Sequence, residues 1–167
     1  MLTSNPLDIL LAHDRWATKQ ILQTCQKLSS EQFHQKFDIG PGSLHAAALH
    51  ILSAMRAWDD VLAGRPQRPR LDEGGTQKTP AELLMLLEES ADDFAATAKL
   101  HPLEETVVRT RGGKQYTFTR GGVITHVTTH GMHHRAQCLN MLRQLGVQPL
   151  PLSSVIEWIR TVDTQHG

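Results

Sequence analysis

The sequence predicts an all-α protein: a four-helix bundle with a short β-hairpin before its last long helix and a short C-terminal helix. Three observations carry this. Four segments of roughly 20 residues space their apolar side chains by threes and fours, the repeat of a helix with one buried face. Breaks rich in proline and glycine separate them. One stretch, around Gly112-Gly113, changes to the β-branched and aromatic composition of a hairpin. Four amphipathic helices in a chain of 167 residues bury their stripes by packing against one another, so residues 1–167 are read as a single domain.

The first helix lies in "SNPLDILLAHDRWATKQILQTCQKL". Ser4 or Asn5 can cap it, and Pro6 suits the first turn, where its missing N–H is not needed. Leu10, Ala17, Ile21, Cys25 and Leu28 form its stripe, with His13 and Asp14 between them. Gly40-Pro41-Gly42 then breaks the chain. In the second helix, "SLHAAALHILSAMRAWDDVLAG", the stripe is Leu44, Ala48, Ile51, Met55, Trp58 and Leu62, and Gly64 suits its end. "RPQRPRLDEGGTQK" reads as a solvated loop, with contact to an anion as another use for Arg65, Arg68 and Arg70.

The third helix has Thr79 as cap, Pro80 at its first position and Glu82 completing a capping box. Leu83, Leu87, Ser90, Phe94 and Ala98 form its stripe. In "EETVVRTRGGKQYTFTR", Val107, Val108, Tyr116, Thr117 and Phe118 flank the glycine pair. An isolated hairpin is marginal in water, so this one must pack on the helices. "GGVITHVTTHGMHHRAQCLNMLRQLG" is the fourth long helix, closed by Gly146. Beyond Pro149 and Pro151, "SVIEWI" predicts a short helix over one end of the bundle.

Composition excludes several function classes. The 17 basic and 17 acidic residues cancel, which removes the overall attraction used by nucleic-acid and anionic-membrane binders. No apolar run approaches the roughly 20 residues of a bilayer span. The opening residues lack a basic segment and meet Asp8 early, so no export signal is expected. Cys25 and Cys138 then read as reduced core thiols of a cytoplasmic protein, with a disulfide between them the alternative.

Four of the ten histidines fall in "HVTTHGMHHRAQ", residues 126–137. The seam of that helix runs Ile124, Val127, Gly131, His134, Cys138, Met141 and Leu145, with His134 in its middle. His130 lies about 40° away around the axis and borders Val127. His133 shares a polar face with Thr129, Ala136 and Asn140, and His126 lies at the margin of the seam. On the second helix His50 sits between Ala47 and Ala54, which leave space for its ring, while His45 points elsewhere. Spacing thus nominates His50, His130 and His134 as inward imidazoles. A buried polar group without a partner costs on the order of 1–3 kcal/mol. Hydrogen bonds can satisfy such rings one by one, or a single divalent metal can satisfy all three.

These residues also carry a resemblance. "SLHAAALHILSAMRAWDDVLAGRP", with Trp58 eight residues after His50, and the run His130-x-x-x-His134-Arg135-x-Gln137 resemble the DinB/YfiT-like superfamily of metalloenzymes. "AHDRWA" and "GGKQYTFTRGGVITHVTTHG" match the same pattern, so the resemblance spans about residues 6–160. It implies a four-helix bundle with His50, His130 and His134 around one divalent cation. Zinc or nickel comes first, and iron or manganese next. It also implies a homodimer, a stress-related role, a small-molecule substrate and a low-molecular-weight thiol as cosubstrate. Ala136 stands where the family often has Gly, and Thr18 where it often has Asn; neither is an implied ligand.

Three neutral imidazoles leave a cation its full charge and at least one open position, the pattern of a catalytic site. The expected activity is transfer of a metal-activated thiol to a small electrophile, with hydrolysis second. A non-catalytic, metal-stabilised stress or binding protein is the alternative. Gly131-Met132-His133 places no Glu between the paired histidines, so the general base of a zincin is absent and the catalytic acid and base are unassigned. Gln137, Asp14 and His13 are candidates to orient the ligands. Trp16, Trp58 and Trp158 read as core packing, with pocket lining a second use for Trp58. Arg135 reads as structural, with a substrate carboxylate its other use.

Overall fold

The computed structural model describes residues 3–73, 75 and 77–162. Its elements are α1 (Pro6–Cys25), α2 (Ser30–His34), α3 (Leu44–Leu62), α4 (Pro80–Ala98), β1 (Thr106–Arg111), β2 (Lys114–Thr119), α5 (Arg120–Gln144) and α6 (Val155–Thr161). α3 packs on α4 and α5, and α1 packs on the same two, so the four long helices form a bundle with α1 diagonal to α3. Between them lie Leu22, Leu52, Met55, Leu83, Leu87, Phe94, Met141 and Leu142, all fully buried. No described helix is long and apolar enough to cross a membrane.

The helix starts follow local chemistry. Asn5, rather than Ser4, caps α1 by accepting from the Leu7 N–H at 2.9 Å. Thr79 and Glu82 form the capping box of α4. Thr119 ends β2 and caps α5, so strand passes directly into helix. Arg120, at the first position of α5, is buried and donates to the carbonyls of Leu62 and Thr97, both at 2.8 Å, tying the ends of α3 and α4. Gly112 and Gly113 have φ of +56° and +74°, the left-handed pair of a type I′ turn, and Arg111 pairs with Lys114 across it. The hairpin docks through Val107 and Phe118, the latter edge-on to Trp58 at 5.5 Å.

Two expectations are corrected, and one short helix is added. Leu10 is 37% exposed, and the α1 stripe continues instead through Asp14, which is 3% exposed because it pairs with the buried Arg135 of α5. The short helix α2 follows α1, capped by a Ser29–Gln32 box and burying Phe33. The loop after α3 is not simply solvated. Arg65 and Arg68 turn back onto Asp59 and Asp60, both 0% exposed, and Arg70 pairs with Asp72 and Glu73. Buried carboxylates need a counter-charge, and this loop supplies it. Cys25 and Cys138 are free and buried, and burial pushes the Cys138 thiol up to about 12.

Candidate metal centre

α3 and α5 face each other, and the three nominated histidines meet between them. One ligand atom each of His50, His130 and His134 lies within 4.8 Å of the others. Nε2 of His130 and Nε2 of His134 are 3.2 Å apart. Two nitrogens on one tetrahedral zinc-like ion, each about 2.0–2.1 Å from it, sit about 3.3 Å from each other. The ring of His50 approaches both, with centroids 5.0 Å from His130 and 4.6 Å from His134.

The far nitrogens of two rings are anchored. Nδ1 of His50 donates to Oδ2 of Asp72 at 3.0 Å, since a carboxylate can only accept. Nδ1 of His134 lies 2.8 Å from Oε1 of Gln137, whose amide nitrogen donates to Nε2 of His133 at 2.9 Å. Both bonds leave Nε2 as the lone-pair atom, so the donor set fits a cation in its tautomers as well as its spacing. Burial, then the neighbouring His134, His50, His126 and His133, holds His130 down at about 4. Burial also lowers His134, against its bond to Gln137. Both rings are therefore neutral at pH 7, the form that ligates. Asp72 is partly buried, which works against its charge, but bonds from Arg70, Ser53 and His50 hold its carboxyl well below the usual carboxylate range.

A scan of family models matches residues 1–160 to the DinB family. The chain belongs to the DinB family. Among curated proteins it is 23% identical over 151 residues to Protein DinB of Bacillus subtilis (strain 168), covering 85% of this chain and 87% of that one. Among solved structures, a DinB-like protein from Bacillus cereus ATCC 10987 has a TM-score of 0.65 at 16% identity, with 84% and 91% of the two chains covered. A DinB-like protein from Bacillus subtilis has a TM-score of 0.63 at 16% identity, with 87% and 97% covered. At such identities the structures share the fold.

In this DinB-family chain the cluster opens into a cavity of about 460 Å³ lined by His50, His130, Trp58, His126, Arg70 and Arg109, among others. Trp58 is thus a wall of the cavity as well as a packing residue, with Arg109 4.4 Å over its ring and His126 5.4 Å from it. Of the candidates to orient ligands, Gln137 is in place. Asp14 and His13 are elsewhere: Asp14 pairs with Arg135, which is structural, and His13 Nε2 lies 2.9 Å from the Ser153 carbonyl. His133 is exposed, and His45 is buried against Phe33 and His34, away from the cluster. Asp72 was not nominated from sequence. It lies in an aperiodic loop, and its one local mark, an acid beside Arg70, suits a surface loop equally well.

Proposed function

We propose that this chain is a metal-dependent enzyme. In it His50, His130 and His134 hold one divalent cation, and a low-molecular-weight thiol, or water, is activated for attack on a small molecule. The observation that supports this reading is the convergence of three imidazole nitrogens beside an open cavity. When bound, the cation supplies Lewis acidity that lowers the pKa of a thiol or water. Asp72 keeps the proton of His50 on Nδ1, and the Gln137 carboxamide does the same for His134, so neither ring turns away. Trp58 gives the cavity an apolar wall that excludes water from one side of a substrate. Proton acceptance falls in this reading to His126, an imidazole of the same wall with its ring 5.5 Å from that of His130. Three imidazoles suit zinc and nickel alike. A homodimer completes the reading.

The test is elemental mass spectrometry of the purified, untagged protein beside His50→Ala, followed by a turnover screen of thiols with the loaded protein. Near one equivalent of metal in the wild type, lost in the variant, together with thiol-dependent turnover, is the expected result. No metal after reconstitution with zinc, nickel, manganese and ferrous iron overturns it. The rings bridge α3 and α5, so a loaded protein that turns over nothing would leave the cation as a helix staple and the chain as a metal-stabilised binding protein.

A further inference from the structure

We infer that the hairpin wall of the cavity is an oxyanion subsite, in which Arg109 and Arg111 bind the carboxylate or phosphate group of a small anionic substrate beside the three histidines. This deepens the proposed function and rests on it for the word substrate; the binding itself does not need the metal. Val107, Arg109 and Arg111 alternate along β1, so they share the strand face that Val107 turns to the core. The pairing of Val107 with Phe118, and the seat of Phe118 against Trp58, fix that register. Both arginines therefore line the cavity that also holds His50 and His130.

Charge makes the case for an anion. The cavity wall carries three arginines, Arg70, Arg109 and Arg111, against one carboxylate, Glu73. Glu73 and the nearby Asp72 are both taken up by Arg70. Among the described residues no carboxylate pairs with Arg109 or Arg111; the contact of Arg109 is the face of Trp58 at 4.4 Å. Elsewhere Arg15, Arg65, Arg68 and Arg135 are each set against acids. At Arg109 the charge is instead opposed, by partial burial first and then by Arg111 and Arg70. Like charges gathered on a cavity wall repel one another, and a bound oxyanion relieves that repulsion. Guanidinium forks suit the planar edge of a carboxylate or the face of a phosphate. The Trp58 ring beside them would hold the apolar part of the same molecule.

The experiment is isothermal titration of the full chain, metal-free and zinc-loaded, with succinate, inorganic phosphate and neutral succinamide. It is repeated on Arg109→Gln/Arg111→Gln, and on Arg111→Gln alone, which keeps the Arg109–Trp58 contact should the double variant lose its fold. Expected is binding of succinate or phosphate to the metal-free protein, no binding of succinamide, and at least a ten-fold rise in Kd in the double variant or a several-fold rise in the single one. The tighter of the two anions tells a carboxylate site from a phosphate site. Equal binding of succinamide, or a Kd unchanged in the variants, overturns the inference. Anion binding confined to the zinc-loaded protein and indifferent to the arginines also overturns it while leaving the metal reading intact. Arginine-dependent binding by a protein that takes up no metal on reconstitution sustains the subsite and overturns the proposed function instead.

Discussion

Asp72 and His50 join the loop after α3 to the candidate metal centre: the carboxylate accepts the Nδ1 proton of the imidazole at 3.0 Å across 22 positions of sequence. Ser53, one turn along α3 from His50, donates to the other carboxylate oxygen at 2.6 Å, and Arg70 holds both. The ring is thereby fixed in tautomer and direction before any cation arrives. Asp72→Asn removes the charge and lets the ring turn. Metal affinity is expected to fall by about 10–100-fold, the usual cost of losing a carboxylate behind a ligating histidine. Competition against a chromophoric chelator measures it, and unchanged affinity would show that Asp72 serves only the loop.

Gln137 does the equivalent for His134, and it depends on a glycine in a different loop. Gly40 has φ of +49°, and a Cβ there would run into the Gln137 carboxamide. Gly40→Ala is therefore expected to act at a distance, weakening metal binding about as much as Gln137→Ala. It should also lower stability by about 1 kcal/mol for the left-handed backbone. The two substitutions combined should weaken binding no more than either alone, because both break one contact. Additive losses in the double variant would separate Gly40 from the site.

The bundle was legible because its information is periodic. The stripes of α3, α4 and α5 are buried nearly residue for residue, and the same spacing picked His50, His130 and His134 and turned His133 outward. What escaped is what one position in a loop does for another in a helix. Asp72 behind His50, and Arg65 and Arg68 over Asp59 and Asp60, leave no repeat in the chain. Asp14 escaped for the opposite reason. It occupies a core position of α1, where a periodicity of apolar residues cannot register a charge that is paired across the interface.

His45 gives a pH signature separate from the metal centre. It is buried, and its Nε2 accepts from the Lys78 N–H at 3.2 Å, so only the neutral ring fits. Burial, then His34 and Lys36, lowers it from 6.5 to about 4. The unfolded chain binds this proton more readily than the folded one. The contribution is therefore complete above pH 6.5 and is lost as pH falls from 6.5 to 4, with no further change below. Urea denaturation of the metal-free protein across that window should show the wild type losing on the order of 3 kcal/mol more than His45→Gln. Parallel pH curves would remove His45 from the account.

The Asp14–Arg135 pair predicts a reversed sign at Gly131. Both side chains are buried, at 4% and 3% exposure, and they join α1 to α5. Removing one partner strands the other, so Asp14→Ala or Arg135→Leu alone should cost about 3–5 kcal/mol, and the double substitution less than the sum. Gly131 lies beneath the pair: a Cβ there would sit 2.7 Å from Oδ1 of Asp14 and 2.8 Å from Nη1 of Arg135. In an open helix Gly→Ala stabilises by about 1 kcal/mol. In the wild type Gly131→Ala is expected to destabilise, because it pushes apart two charges that have no water to turn to. In the Asp14→Ala/Arg135→Leu background those contacts are gone, and the same substitution should stabilise. A double-mutant cycle by urea denaturation of the metal-free protein reads the change of sign directly. If Gly131→Ala destabilises equally in both backgrounds, the glycine is there for the backbone of α5 and not for the ion pair.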